Sequence, residues 1–365
     1  MLAALILFAE KGWAETWQQA VSARVSTEYD TNPAMTPVNP EGVSRHLFEP
    51  SYTLTGNFER DVLKTGLAFQ FARSSNETLS PSRNSPTVFM DWLRQTEAGE
   101  FGISSRYAET STRNVDPVNN TGTGNTDPGL ADNTRASRIL SGRWSNALSE
   151  RSTLVADGSY ESVFYSSDTY TNYASRSAGI MFSYLLSEAS TPFLRLSRIE
   201  YEPAGGASPN TFTNTVLAGL NWIASDALSG TLQAGQSKVS NVDEPSTQGG
   251  ASLRYTGERS QLALSANRQV LPGGLGGFST VDQVNGNWSY ALNEYNSAGI
   301  DLGWQKNKFI TDFINRTSGA WLQHELNSFW GLRTYYRHNT LSRDGIDDAT
   351  SDILGLALSY THTDF

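Results

Sequence analysis

The chain has 365 residues, no cysteine and a formal net charge of −10, which excludes a disulfide framework, thiolate chemistry and the basic patch that tight nucleic-acid binding needs. Hydrophobic residues make up 38%, mean hydropathy is −0.41, and no apolar run reaches the roughly eighteen residues of a membrane-spanning helix, so a helical membrane protein is excluded. The 31 Gly, 9 Trp, 15 Tyr and 16 Phe, set against only 18% charged residues, favour β structure over a helical enzyme or a disordered tail.

The first residues read MLAALILFAEKGWAE. An apolar stretch from Leu2 to Phe8 is followed by Gly12-Trp13-Ala14, with small residues where a signal peptidase needs them. Residues 1–14 are therefore expected to be a signal peptide, short and without a basic leader, and 15–365 a single domain. The alternative is a buried first strand or helix.

After Trp17 apolar and polar residues alternate, the period of a strand with two unlike faces. Phe48, Tyr52, Leu54 and Phe58 interleave with Glu49, Ser51, Thr53, Thr55, Asn57 and Glu59. Leu262, Leu264 and Ala266 do so with Gln261, Ser265 and Asn267, and Ala298, Ile300, Leu302 and Trp304 with Ser297, Asp301 and Gln305. The stretches 86–112 and 134–145 alternate less cleanly.

A soluble sandwich would show the same alternation, so the connections decide. Short links fall near 60–63, 97–100, 146–152, 187–190, 225–228, 256–260, 293–296 and 326–329. Longer polar links fall between them, near 30–44, 74–86, 113–133, 166–170, 203–210, 240–246, 270–280, 306–312 and 338–351. Tight turns on one side and larger loops on the other are what an outer-membrane barrel has and a sandwich has no reason to have. The pattern predicts an all-β, transmembrane, antiparallel up-and-down β-barrel of about eighteen strands, with about sixteen as the alternative. Such a barrel places the chain in the outer membrane of a Gram-negative bacterium, with lipid as its first partner.

Four short links share a repeat: RWSNALSERSTL, LNWIASDALSGTL, NWSYALNEYNSAG and WLQHELNSFWGL. Their Trp144, Trp222, Trp288 and Trp321 read as a periplasmic aromatic girdle at headgroup level, or else as core aromatics at the end of a sandwich. By parity the inward set includes Glu49, Asp157, Glu161, Arg254, Asp301, Arg333 and Arg337, expected to line a pore.

No catalytic or cofactor-binding constellation is present. His324-Glu325-Leu326-Asn327-Ser328 opens like a zinc HExxH motif but has Ser in place of the second His, and the four His, at 46, 324, 338 and 362, lie in distant segments. Gly273-Gly274-Leu275-Gly276-Gly277 has no phosphate-loop Lys and reads as a flexible loop. The acidic link Arg343 to Asp348 reads as a solvated loop or a calcium site. The longest link, Asn114 to Asn133, is long enough to fold into the lumen or to stand outside it.

The chain ends in ILGLALSYTHTDF, which resembles the C-terminal signal read by the barrel-assembly machinery: Gly355, Leu358 and Tyr360 occupy its Gly and two apolar positions, and Phe365 its terminal aromatic. Phe365 is out of phase with Tyr360, so either a bulge shifts the register or the signal ends at Tyr360. The opening strand VSARVSTEYDTNPAM, Val21 to Met35, with its Glu28-Tyr29-Asp30-Thr31-Asn32-Pro33 stretch, resembles the start of β-barrel porins of proteobacteria, some of them associated with exopolysaccharide secretion. The resemblance implies a monomeric outer-membrane conduit with polysaccharide export proteins among its partners. The function expected is a pore for polar solutes or glycans, with an adhesion barrel as second reading and a barrel enzyme as third.

Overall fold

The computed structural model describes residues 16–112, 133–206, 209–308 and 312–363. The leader expected at 1–14, the body of the Asn114–Asn133 link and Phe365 lie outside the described residues. The strands in chain order are β1 (Thr16–Asp30), β2 (Val43–Asn57), β3 (Asp61–Ser74), β4 (Arg83–Thr96), β5 (Gly99–Ser111), β6 (Thr134–Ala147), β7 (Ser152–Tyr165), β8 (Tyr173–Tyr184) and β9 (Ser190–Pro203). They continue with β10 (Thr211–Ser225), β11 (Leu228–Val239), β12 (Ser246–Thr256), β13 (Ser260–Gly273), β14 (Gly277–Ala291), β15 (Asn296–Lys308), β16 (Phe313–Glu325), β17 (Trp330–Arg343) and β18 (Ile346–Thr363). Each pairs antiparallel with the next, and β1 also pairs with β18, from Ala20 opposite Thr363 to Asp30 opposite Ile353. The sheet thus closes on itself and leaves no edge.

The barrel has 18 strands, and the two poorly alternating stretches supply β4, β5 and β6. Alternation fades there because each face carries exceptions. Arg138 faces outward, stacked 5.9 Å from the Tyr107 ring and 5.5 Å from the Phe164 ring, while Phe89 and Ile139 take inward positions.

Elsewhere the outer face is aliphatic and uncovered. Leu140 and Ile180 are 54% exposed, Leu196 51% and Leu354 61%. A barrel in water would not keep a continuous ring of such side chains, whereas one in lipid requires it. Even the shortest strand, β12 with 11 residues, can cross the hydrocarbon when tilted. Counted from the short turns, the outward positions stay apolar for roughly eight to ten residues, the height of a bilayer band, and then become charged. Leu194 and Leu196 give way to Arg198, Glu200 and Glu202 on β9, Ile300 to Trp304 give way to Lys306 and Lys308 on β15, and Leu354 gives way to Asp352 on β18.

That boundary explains where the loop reading was wrong. Residues 270–280 are not a long link: β13 and β14 continue until Gly273 pairs with Gly277, leaving only 274–276 as the turn. Residues 338–351 likewise belong to β17 and β18, joined at 344–345. Beyond the lipid nothing requires the outward face of a strand to be apolar, so the alternation that marks a strand disappears although the pairing continues. The turns themselves are sharp because Gly276 and Gly345 take left-handed φ values of 96° and 78°.

Candidate functional site

Two-residue periodicity sends every second side chain of these strands to the interior. Glu49, Asp301, Arg333 and Arg337 line one cavity of about 550 Å³, together with Arg24, Glu28 and Tyr335. They come from β2, β15 and β17, brought together by closure between β1 and β18. The charges are matched. Arg45 reaches Glu28 at 2.7 Å and Asp30 at 3.3 Å, and the Tyr335 hydroxyl donates to Glu28 at 2.8 Å. Arg24 lies 3.8 Å from Glu49, which also accepts from the Gln70 amide at 2.8 Å. Asp301 accepts from the Asn287 amide at 2.9 Å and lies 4.0 Å from Arg333.

A second ionic cluster is built by β6 to β9. Arg195 donates to Asp157 at 2.8 Å and Arg135 to Glu161 at 3.0 Å, and Arg143 stands opposite Asp157 in register. Arg254 belongs to neither cluster: its register neighbours on β11 and β13 are Ser229 and Ala263. Sequence parity, applied to only some strands, passed over Arg24, Glu28, Arg45, Arg135 and Arg195. The spacing Arg24, Ser26, Glu28, Asp30 carries the signal, since one face of β1 holds nothing apolar from Ser22 to Asp30.

The four tryptophans divide. Trp144, Trp222 and Trp288 stand on the outer face near the short turns, Trp144 and Trp288 about two-fifths exposed. Trp321 is a correction: it points inward, with the Arg333 guanidinium 4.1 Å over its ring. The indole lies flat across Gly299, where any Cβ would collide with it. In WLQHELNSFWGL the outward tryptophan is instead Trp330, packed 4.9 Å from Tyr360. The repeat placed an aromatic before a turn, but parity decides its face, and Trp321 shares parity with Gln323 and Glu325.

In the last strand Leu358 and Tyr360 face outward, while Gly355 sits against the Tyr335 ring, which leaves no room for a Cβ. Pairing with β1 runs unbroken from Ile353 to Thr363, so the bulge offered as one explanation for the phase of Phe365 is absent among the described residues. The described residues also hold no group of three or more His, Asp or Glu placed to bind a metal.

At the long-loop end the β13–β14 tip leans across to strands it does not pair with. The Thr171 N–H donates to the Gly274 carbonyl at 2.7 Å. Leu275 and Phe278 pack on a buried cluster of Val163, Tyr165, Tyr170, Tyr173 and Tyr201, with Tyr201 and Phe278 ring centroids 6.1 Å apart. β10 to β13 stand between β9 and β14 in the barrel wall, so this contact forms a strut over part of the mouth.

No protein-family model matches the chain, and no curated protein sequence is similar to it. Solved structures share its fold. The outer membrane protein OpdK of Pseudomonas aeruginosa superposes with a TM-score of 0.53 at 11% identity, over 96% of this chain and all of that one (100%). OccAB4 of Acinetobacter baumannii gives 0.52 at 8%, over 96% and 99%, and OccK5 (OpdH) of Pseudomonas aeruginosa 0.52 at 10%, over 97% and 100%. With the apolar outer band, this fold places the chain in the outer membrane.

Proposed function

We propose that the chain is an outer-membrane pore for polar solutes, and that glycans, including an exopolysaccharide on its way out of the cell, are the class it carries. The observation behind this reading is the pairing of a wide closed barrel with an inner wall of hydroxyls, amides and mutually compensated charges. Eight strands would fill with side chains, whereas about sixteen to eighteen leave a lumen wide enough for water and solute. A strongly ion-selective filter presents charge of one sign; here the carboxylates of Glu28, Glu49, Asp157 and Glu161 each have an arginine within 4 Å. Glu49, Asp157, Glu161, Arg254, Asp301, Arg333 and Arg337 are assigned as its lining. The outer aromatics near the short turns are assigned to the periplasmic interface, and Gly355, Leu358 and Tyr360 to recognition by the barrel-assembly machinery.

The test is purified protein in planar bilayers and in sugar-loaded liposomes. Stepwise conductance with weak ion selectivity and swelling in neutral oligosaccharide is the expected result. A sealed bilayer and unswollen liposomes would remove the open pore.

A further inference from the structure

The inner wall is not uniform. The inward positions of β10 to β14 carry a single charged side chain, Arg254, near the short-turn end. In its place the wall offers carboxamides and hydroxyls. Successive register partners put Gln233, Gly250, Asn267, Gln283, Gln305 and Asn315 on one line across β11 to β16, with Gln233, Asn267 and Asn315 partly exposed and Gln283 and Gln305 set into the wall, Gln305 donating to Asn307 at 2.8 Å. The line is a ramp, because barrel strands are tilted and a row of hydrogen-bonded neighbours must climb. Gln233 lies five residues beyond Leu228, where β11 leaves its short turn, and Asn315 lies ten residues before Glu325, where β16 enters its own. At about 4.8 Å per strand, the five steps cover roughly 24 Å of wall.

Three details show that the row is more than composition. Gly250 does not interrupt it: the Gln233 amide nitrogen lies 3.2 Å from where a Cβ on Gly250 would stand and the Asn267 amide oxygen closes from the other side, so the neighbouring carboxamides meet over the glycine. A second row runs below it through Thr231, Ser252, Ser265, Asn285, Gly303 and Thr317. In that row the Asn285 Oδ1 is buried with no hydrogen-bond partner among the described residues, an acceptor whose desolvation is uncompensated until a donor arrives.

A carboxamide offers a donor and an acceptor side by side, which matches a pair of neighbouring hydroxyls, each donor and acceptor at once. We propose that this ramp is a contact path for a neutral polyhydroxylated chain, along which its sugar hydroxyls exchange partners from one amide to the next, its upper end at Gln305 and Asn315 opening into the cavity that Glu28, Asp301 and Arg333 also line. The proposal rests on the pore reading and adds the site and its ligand chemistry.

The experiment uses the full chain in planar bilayers with maltohexaose as probe, reading the length of sugar-dependent current interruptions. Wild type should be interrupted, and Gln233→Leu combined with Asn267→Leu, the partly exposed amides of the lower end, should shorten the interruptions about tenfold, the loss of one or two hydrogen bonds, with salt conductance retained. The outward amide variant Gln236→Leu should match wild type. If that double variant does not assemble, Gln233→Ala with Asn267→Ala tests the same two positions with smaller side chains. Interruptions of unchanged length in the variants, or none in a conducting wild type, overturn the ramp while leaving the pore; a wild type that does not conduct overturns the pore and the ramp with it.

Discussion

Glu161 and Arg135 meet at 3.0 Å with both side chains about one-seventh exposed, a partly desolvated ion pair. Glu161→Gln removes a negative charge from beside Arg135, and Asp301→Asn removes one from beside Arg333. If both pairs face the permeation path, reversal potentials in a salt gradient should move toward anion preference in each variant. Unchanged potentials would remove these residues from the path. Gly355 poses a different kind of constraint, since the Tyr335 ring occupies the place of its Cβ. Gly355→Val must push Tyr335 off Glu28 or open the seam between β17 and β18, at a cost of about 1–3 kcal/mol. The fraction of heat-modifiable, folded barrel on a gel should fall accordingly, and full folding would show that the ring has room to move.

At the level of elements, the strut over the mouth depends on one aromatic ring on the hairpin side. Phe278→Ala removes it, and because that ring is only partly buried the loss should be about 2 kcal/mol, below that of a core phenylalanine. The tip at 273–277 should then become more readily cut by proteinase K in intact proteoliposomes; equal cutting would mean that the backbone bond from Thr171 to Gly274 holds the tip by itself. This hairpin also shows where sequence reading ends. Strands within the lipid are legible because a two-sided environment imposes alternation, and the short turns are legible because they recur between longer polar links. The projecting parts of β13, β14, β17 and β18 have no lipid to demand an apolar outer face, so they carry no apolar–polar period and look like loops in the sequence. Only the Asp344-Gly345 pair, a hairpin-turn dipeptide, could have corrected one of them. The inner wall was legible residue by residue through parity, but its ion pairs and amide rows join strands far apart in sequence. Trp321 was misplaced because a repeat fixes distance from a turn and says nothing about face.

For the whole molecule, the outer surface fixes how the barrel sits. The apolar outward positions lie toward the short turns, and the first charged ones, Arg198, Lys306 and Asp352 among them, mark the edge of the hydrocarbon. The strands therefore cross the membrane with their lower halves and stand clear of it with their upper halves. A substitution that places a cation outward at two heights tests this directly. Leu264 is 45% exposed on the outer face of β13, within the band and below Arg268, whereas Thr350 stands outward on β18 beyond Asp352. Leu264→Arg should lower folding stability in lipid vesicles by about 2–4 kcal/mol, and Thr350→Arg by about 0–1 kcal/mol, each read from tryptophan fluorescence during denaturant titration. Equal losses at the two positions would mean that the hydrocarbon reaches to the tips of the strands, and the charged outer belt would then have to be explained as something other than the membrane boundary.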